Sequence, residues 1–165
     1  MRRIQYRQYG GPEVMQLEEF EPAPLRPKDV RVWVHAASTN PMDFGIRAGR
    51  LKFVTGGKFP RAMGYDFSGV VEAVGDHVTR LKVGDEVLGG TPIKWAGAFA
   101  DVVVAQEEGV VHKPASLSFE EAAALPTVGI TALQALTTKG KLQPGQRVFI
   151  HSCLGGVVRV PFRSP

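Results

Sequence analysis

Cysteine is all but missing from this sequence: Cys153 stands alone among 165 residues. One thiol closes no internal disulfide, which fits a reducing compartment, and the cytoplasm is the expected location. Long apolar runs are missing too. None approaches the roughly 20 residues that a membrane-spanning helix needs. The polar N-terminus lacks the apolar core of a signal peptide, so no membrane association is expected. Basic residues never form a block. Twenty Lys and Arg against sixteen Asp and Glu leave a net charge of +4, and the densest run is Met1-Arg2-Arg3. No Lys/Arg cluster is interleaved with aromatics as a nucleic-acid surface requires, so no nucleic-acid partner is expected. An anionic small molecule, such as a phosphorylated cofactor, accounts for the excess. There is no internal repeat and no low-complexity tract. What is present is enough for a core: 44% of the residues are hydrophobic and 22% charged, a balance that argues against disorder.

The first hundred or so residues have the texture of a β domain. Arg3–Tyr9 and Val14–Phe20 flank Gly10-Gly11-Pro12 and predict a hairpin. Glu21–Lys28 is a proline-rich extended connector. Val30–Ala37 alternates β-branched and aromatic residues with others and predicts a strand, with His35 a half-buried strand residue. Asn40-Pro41 signals a turn, Met42–Ala48 one or two helical turns, and Gly49 their end. Leu51–Ala62 is a basic, glycine-bearing loop. Val70–Val74, Val83–Gly90 with its internal turn, Ala98–Val104 and Val110–Lys113 complete a series of short strands separated by turn signals. That spacing predicts a compact, barrel-like β domain.

From Ser118 the pattern changes. Ser118-Phe119-Glu120-Glu121 is a capping box, and its helix runs to Pro126. Thr127 is placed to cap a second helix, Val128–Thr138, which carries Ile130, Leu133 and Leu136 on one face and ends at Gly140. Gln143-Pro144-Gly145-Gln146 predicts a turn, and Arg147–His151 a strand buried on both faces. Ser152-Cys153-Leu154-Gly155-Gly156 then forms a small-residue loop of the kind whose backbone N–H groups approach a pyrophosphate. No helix is expected after it, because Val158 stands where the motif's last glycine belongs and Pro161 and Pro165 follow.

These motifs, taken in order, resemble the medium-chain dehydrogenase/reductase superfamily, and within it the zinc-free quinone oxidoreductases. The resemblance is carried by Asn40-Pro41-Met42-Asp43, by Gly64-Tyr65-Asp66-Phe67-Ser68-Gly69 with the Val70–Gly75 run after it, and by Val83-Gly84-Asp85-Glu86-Val87. It continues through Ala122–Pro126, Gly129-Ile130-Thr131-Ala132 and Leu154-Gly155-Gly156-Val157. It implies a β-rich GroES-like barrel over residues 1–125, the substrate domain of the alcohol dehydrogenase type. Residues 126–165 would then be the first α/β elements of a truncated NAD(P)-binding Rossmann domain. It implies a zinc-independent, NAD(P)H-dependent reductase of quinones or activated alkenes, with NADPH the first expectation and NADH the second. The partner implied is a small molecule, a quinone or enone, and a full-length form would be a homodimer. This chain would be the front half, inactive alone, because a Rossmann cleft needs several parallel strands and their switch point. Two other readings stay open: a stand-alone, non-catalytic GroES-like binding or interaction module, and a frameshifted, non-functional fragment whose frame changes within the codon of Val158.

The same resemblance nominates site residues. Asn40 would donate to a substrate carbonyl or merely initiate the turn before Pro41. Asp43 would cap the next turn in preference to acid/base work, and Asp66 would order a loop. Tyr65 would donate a proton or be a tyrosine at the edge of the core. Thr131, Ser152, Gly155, Gly156 and Val157 would bind the cofactor. No metal is expected. One cysteine cannot supply the four thiolates of the superfamily's structural zinc, and Tyr65 and Asn40 stand where zinc-dependent relatives carry ligands.

Overall fold

A computed structural model describes residues 1–151 and 155–159 of the chain. Among the described residues, eight strands form two antiparallel sheets. The smaller sheet has the order β2-β1-β4, where β1 is Arg2–Tyr6, β2 Gln16–Glu19 and β4 Arg61–Ala62. The expected N-terminal hairpin is β1–β2, with Arg2 opposite Glu19 and Gln5 opposite Gln16. The larger sheet has the order β7-β3-β5-β6-β8: β3 is Asp29–Ser38, β5 Asp66–Val74, β6 Glu86–Gly90, β7 Val102–Gln106 and β8 Val110–His112. A single bridge, Arg3 to Ala100, ties the two sheets together.

The core lies on one face of the larger sheet. Val30, Val32, Phe67, Val71, Val87, Val103 and Val110 pack there with almost no exposure, and Leu81 and Ala98 close the cluster. Two glycines are needed for this packing. A side chain at Gly69 would run into the carbonyl oxygen of Trp33 on the neighbouring strand. Gly64 has φ +85°, and a Cβ there would stand 2.6 Å from the backbone nitrogen of Phe99.

Four short helices precede the last stretch of the described residues. They are α1 (Pro41–Arg47), α2 (Lys52–Thr55) within the expected loop, α3 (Phe119–Ala123) and α4 (Pro126–Gln134). The Ser118–Glu121 capping box opens α3 as expected: the Glu121 N–H donates to Ser118 Oγ at 3.2 Å, and the Ser118 N–H to Glu121 Oε2 at 2.9 Å. His35 is exposed rather than half-buried, and its ring stacks on Phe119 at 4.3 Å, fixing α3 to β3.

Beyond α4 the expectations need correcting. The second helix starts at Pro126 rather than Val128, with Leu125 as N-cap and the proline at its first position, where a missing N–H costs nothing. It continues through Ala135–Lys139 as a wider π-type turn. The predicted strand Arg147–His151 does not form. Among the described residues no strand of either sheet pairs with it, and an apolar run becomes a strand only where a ladder is there to join. Val148, Phe149 and Ile150 are exposed, Phe149 at 90%. Against expectation, a single helical turn, α5 (Gly156–Arg159), follows the glycines. Ser152 and Cys153 lie outside the described residues.

Candidate functional site

One end of the larger sheet gathers the residues of interest, and strand register is the reason. Asp66, the first residue of β5, pairs with Ser38, the last of β3, and with Gly90, the last of β6. The residues that leave those two strands, Asn40 and Thr91, are therefore brought beside Asp66. Helix α4 arrives from the other side and packs on β5 and β6.

Asp66 is buried and holds these pieces together. Its Oδ2 accepts from Asn40 Nδ2 at 3.0 Å and from the Thr127 backbone N–H at 3.0 Å. Its Oδ1 accepts from the Thr127 hydroxyl at 2.7 Å. Thr127 is thus not the cap of its own helix. It sits in the first turn of α4, where backbone N–H groups lack intrahelical acceptors and an anion is favourable. The carboxylate of Asp66, 61 residues earlier, fills that place, while the N-cap Leu125 has no side chain able to do so.

The expected site residues fall into three groups. Asn40 and Asp43 are buried at the start of α1 and are not among the side chains lining the nearby cleft. The Asn40 N–H donates to Asp43 Oδ2 at 2.6 Å: Asn40 is the N-cap of α1, and Asp43 in its first turn reaches back to it as the other half of a capping box. Burial pushes the Asp43 carboxyl above the ordinary aspartate range, and the nearby Asp66 charge adds to the effect. Its Oδ1 makes no well-formed hydrogen bond, although the Gly64 amide lies close enough to favour the ionised form. Tyr65 lines the cleft, is 3% exposed, and donates its hydroxyl to the Ile93 carbonyl at 3.1 Å. Burial raises its phenol well above the normal tyrosine value, so it is neutral at any physiological pH. In the third group, Thr131 is an exposed helix threonine bonded to the Thr127 carbonyl at 2.6 Å. Gly155, Gly156 and Val157 are exposed, with α5 starting at Gly156. A Cβ on Gly156 would press on Val128 Cγ1 at 3.1 Å, so the glycine serves the packing of α5 on α4.

The cleft itself has a volume of about 580 Å³ and lies between the end of the sheet and α4. Met42, Leu88, Ile93, Val111, Leu125 and Ile130 give it hydrocarbon walls. Its polar side chains are Tyr65, Asp66, Thr91, Thr127 and, exposed at the rim, Gln106 and Glu108. A largely apolar cleft with few polar groups is suited to a neutral or weakly polar small molecule. Sequence reasoning missed Thr91 and the bond between Thr127 and Asp66. The only signal for either was position, Thr91 directly after a strand ending in Gly-Gly and Thr127 directly after Pro126.

Residues 26–115 match the family model of the alcohol dehydrogenase GroES-like domain. The chain belongs to that family. It is a quinone oxidoreductase-like member of the medium-chain dehydrogenase/reductase superfamily. Over 157 residues it is 38% identical to a quinone oxidoreductase of Pseudomonas aeruginosa, a match covering 94% of this chain and 46% of that protein. The quinone oxidoreductase of Pseudomonas syringae is similar in structure, with 39% identity, a TM-score of 0.83 and coverage of 95% of this chain and 47% of that one. The Escherichia coli quinone oxidoreductase, solved in complex with NADPH, is 31% identical with a TM-score of 0.75 over 84% of this chain and 41% of that one. The chain spans about half the length of the curated relatives it matches. Among the described residues of this GroES-like chain, no helix is long and apolar enough to cross a membrane.

Proposed function

We propose that this chain supplies the substrate-binding cleft of a zinc-independent, NAD(P)H-dependent reductase acting on quinones or activated alkenes. Residues 1–125 would form the substrate domain, and 126–165 the entrance to the cofactor domain. The observation that carries this reading is the cleft beside Asp66. It is apolar, large enough for a flat ring compound, and set where the β domain meets α4. Its buried acid already accepts three hydrogen bonds and the hydroxyl of its tyrosine is given to a backbone carbonyl, so both serve the fold before any proton transfer. Such a cleft suits an electrophile that accepts a hydride directly.

Zinc independence is supported by composition. The sequence has one cysteine, and Tyr65 and Asn40 occupy the positions where the resemblance places zinc ligands in other members. The nicotinamide cofactor is proposed from the relatives, one of which was solved with NADPH. Its fit here rests on Gly155 and Gly156, which are exposed and carry no Cβ to bar the close approach of a phosphate. Gly155, Gly156, Val157 and Ser152 would hold its pyrophosphate, and Thr131 would stand toward its nicotinamide end. The cofactor would supply the hydride; the residues of this chain bind and orient the electrophile and keep water from it. Asn40 would act through Asp66, as a positioning residue.

The test is a pair of NMR titrations of the isotope-labelled chain. Duroquinone, a fully substituted quinone without an alkylating position, should shift the methyl signals of Met42, Leu88 and Ile130 and leave core Val32 unmoved. NADPH should shift the amides of Gly155–Val157. Shifts at neither place overturn the reading.

A further inference from the structure

One polar side chain of the cleft has hydrogen-bonding capacity that the fold does not use. Thr91 is 9% exposed, and its Oγ1 is shielded from water and has no partner among the described residues. The other buried polar groups of the cleft are committed. The Tyr65 hydroxyl donates to Ile93, the Asp66 carboxylate accepts three bonds, and the Thr127 hydroxyl is one of the donors. Gln106 and Glu108 are exposed at the rim, open to solvent. An unpaired buried hydroxyl costs about 1–3 kcal/mol. A valine would fill nearly the same space without that cost, so packing alone does not account for threonine at this position.

The position of Thr91 is also well fixed. Its backbone N–H donates to the Tyr65 carbonyl at 2.9 Å, and two residues later the Ile93 carbonyl accepts the Tyr65 hydroxyl. One buried tyrosine therefore pins the segment at two points, and the side chain between them is aimed by the scaffold and not by a free loop. The walls around it are hydrocarbon. A neutral donor in such surroundings recognises an uncharged ring compound with a carbonyl acceptor and gives no advantage to its hydrocarbon counterpart.

We propose that Thr91 is the recognition residue of the cleft, its hydroxyl turning about χ1 to donate a hydrogen bond to the carbonyl oxygen of a quinone or enone. This rests on the cleft being the electrophile site.

Equilibrium dialysis of the 165-residue chain tests it, with duroquinone and its hydrocarbon counterpart durene as the two probes. Thr91→Val should weaken duroquinone binding about fivefold, the effect of one neutral hydrogen bond, and leave durene binding unchanged. Thr91→Ser should bind both probes as the parent does. Unchanged durene binding also reports that the valine variant is folded. If Thr91→Val holds duroquinone as well as the parent does, the inference fails while the cleft reading stands. If it loses both probes by the same factor, Thr91 is a packing residue and the inference fails. If the parent binds neither probe, the cleft reading and the inference fall together.

Discussion

The β-rich part and the segment beyond α4 carry the same kinds of side chain to opposite fates. Phe67 and Val32 have no exposure, whereas beyond α4 Phe149 is 90% exposed, Ile150 46% and Val148 45%. Hydrophobicity alone does not explain this. Strand β3 pairs with β5 and β7, so Val32 meets Val71 and Val103 from far along the chain, and the core face of the pairing is filled. Val148–Ile150 pairs with no strand among the described residues, and its side chains are exposed, Phe149 almost fully. Burial follows from the presence of a complementary surface, and sequence pattern announces only the need for one.

The largest effect that tests this contrast comes from matched truncations. Phe67→Ala should lower stability by about 3–5 kcal/mol, because it removes a fully buried ring and leaves a cavity. Phe149→Ala should change it by less than about 0.5 kcal/mol, as an exposed site does. Urea denaturation followed by circular dichroism measures both. A Phe149 variant that costs as much as the Phe67 variant would mean that the two regions are not distinct in packing.

A smaller effect is expected at the joint between them. Asp66→Ala should cost about 2–4 kcal/mol, since it strands the Thr127 N–H and the Asn40 amide in a buried place. Its signature is local. Amide exchange should quicken in the first turn of α4 more than in β3, and uniform quickening would show that Asp66 supports the β domain and not the helix.

Legibility in the sequence followed the same division. The β hairpin, β3, α1 with its Asn-Pro start and the α3 capping box could all be read, because alternation, turn residues and caps are local signals. The Arg147–His151 strand was misread for the complementary reason: its pattern is that of a strand, but a strand is made by its neighbours. The bond between Asp43 and the Asn40 N–H spans three residues and is local. The carboxylate of Asp66 capping a helix that starts at Pro126 was not legible, since nothing in either stretch encodes their meeting. Thr91 was invisible for a related reason. An unpaired hydroxyl is a property of surroundings and has no sequence pattern.

Acid should act on the β-rich part through Glu107. Its side chain accepts from the backbone N–H groups of Arg80 at 2.5 Å and Thr79 at 2.9 Å. Those bonds, that of Arg80 first, hold its carboxyl below the usual glutamate range. A depressed folded value means that the stabilisation is present above the unfolded pKa and is lost as pH falls through the folded one. Glu107→Gln should therefore be less stable than the parent near neutrality, with the gap closing as the solution is acidified below the ordinary glutamate pKa. Thermal melts across that range measure it, and a gap constant with pH would remove the charge from the explanation.

The smallest effect, and the one of opposite sign, belongs to Asp43. Burial raises its folded pKa, so the unfolded chain ionises first as pH rises. Over the interval between the ordinary aspartate value and the raised one, the folded state binds the extra proton, and stability falls with increasing pH until both states are ionised. Asp43→Asn removes that dependence while keeping a carbonyl oxygen to accept from the Asn40 N–H, the bond seen at 2.6 Å. Relative to the parent, the variant should gain stability as pH climbs through that interval and hold a constant offset above it. The two carboxylates then pull in opposite directions over neighbouring pH ranges, one because its acceptors are filled by backbone donors and the other because burial outweighs them. An Asp43→Asn melt profile parallel to that of the parent at every pH would show that the Asn40 and Gly64 amides fully offset burial at this site.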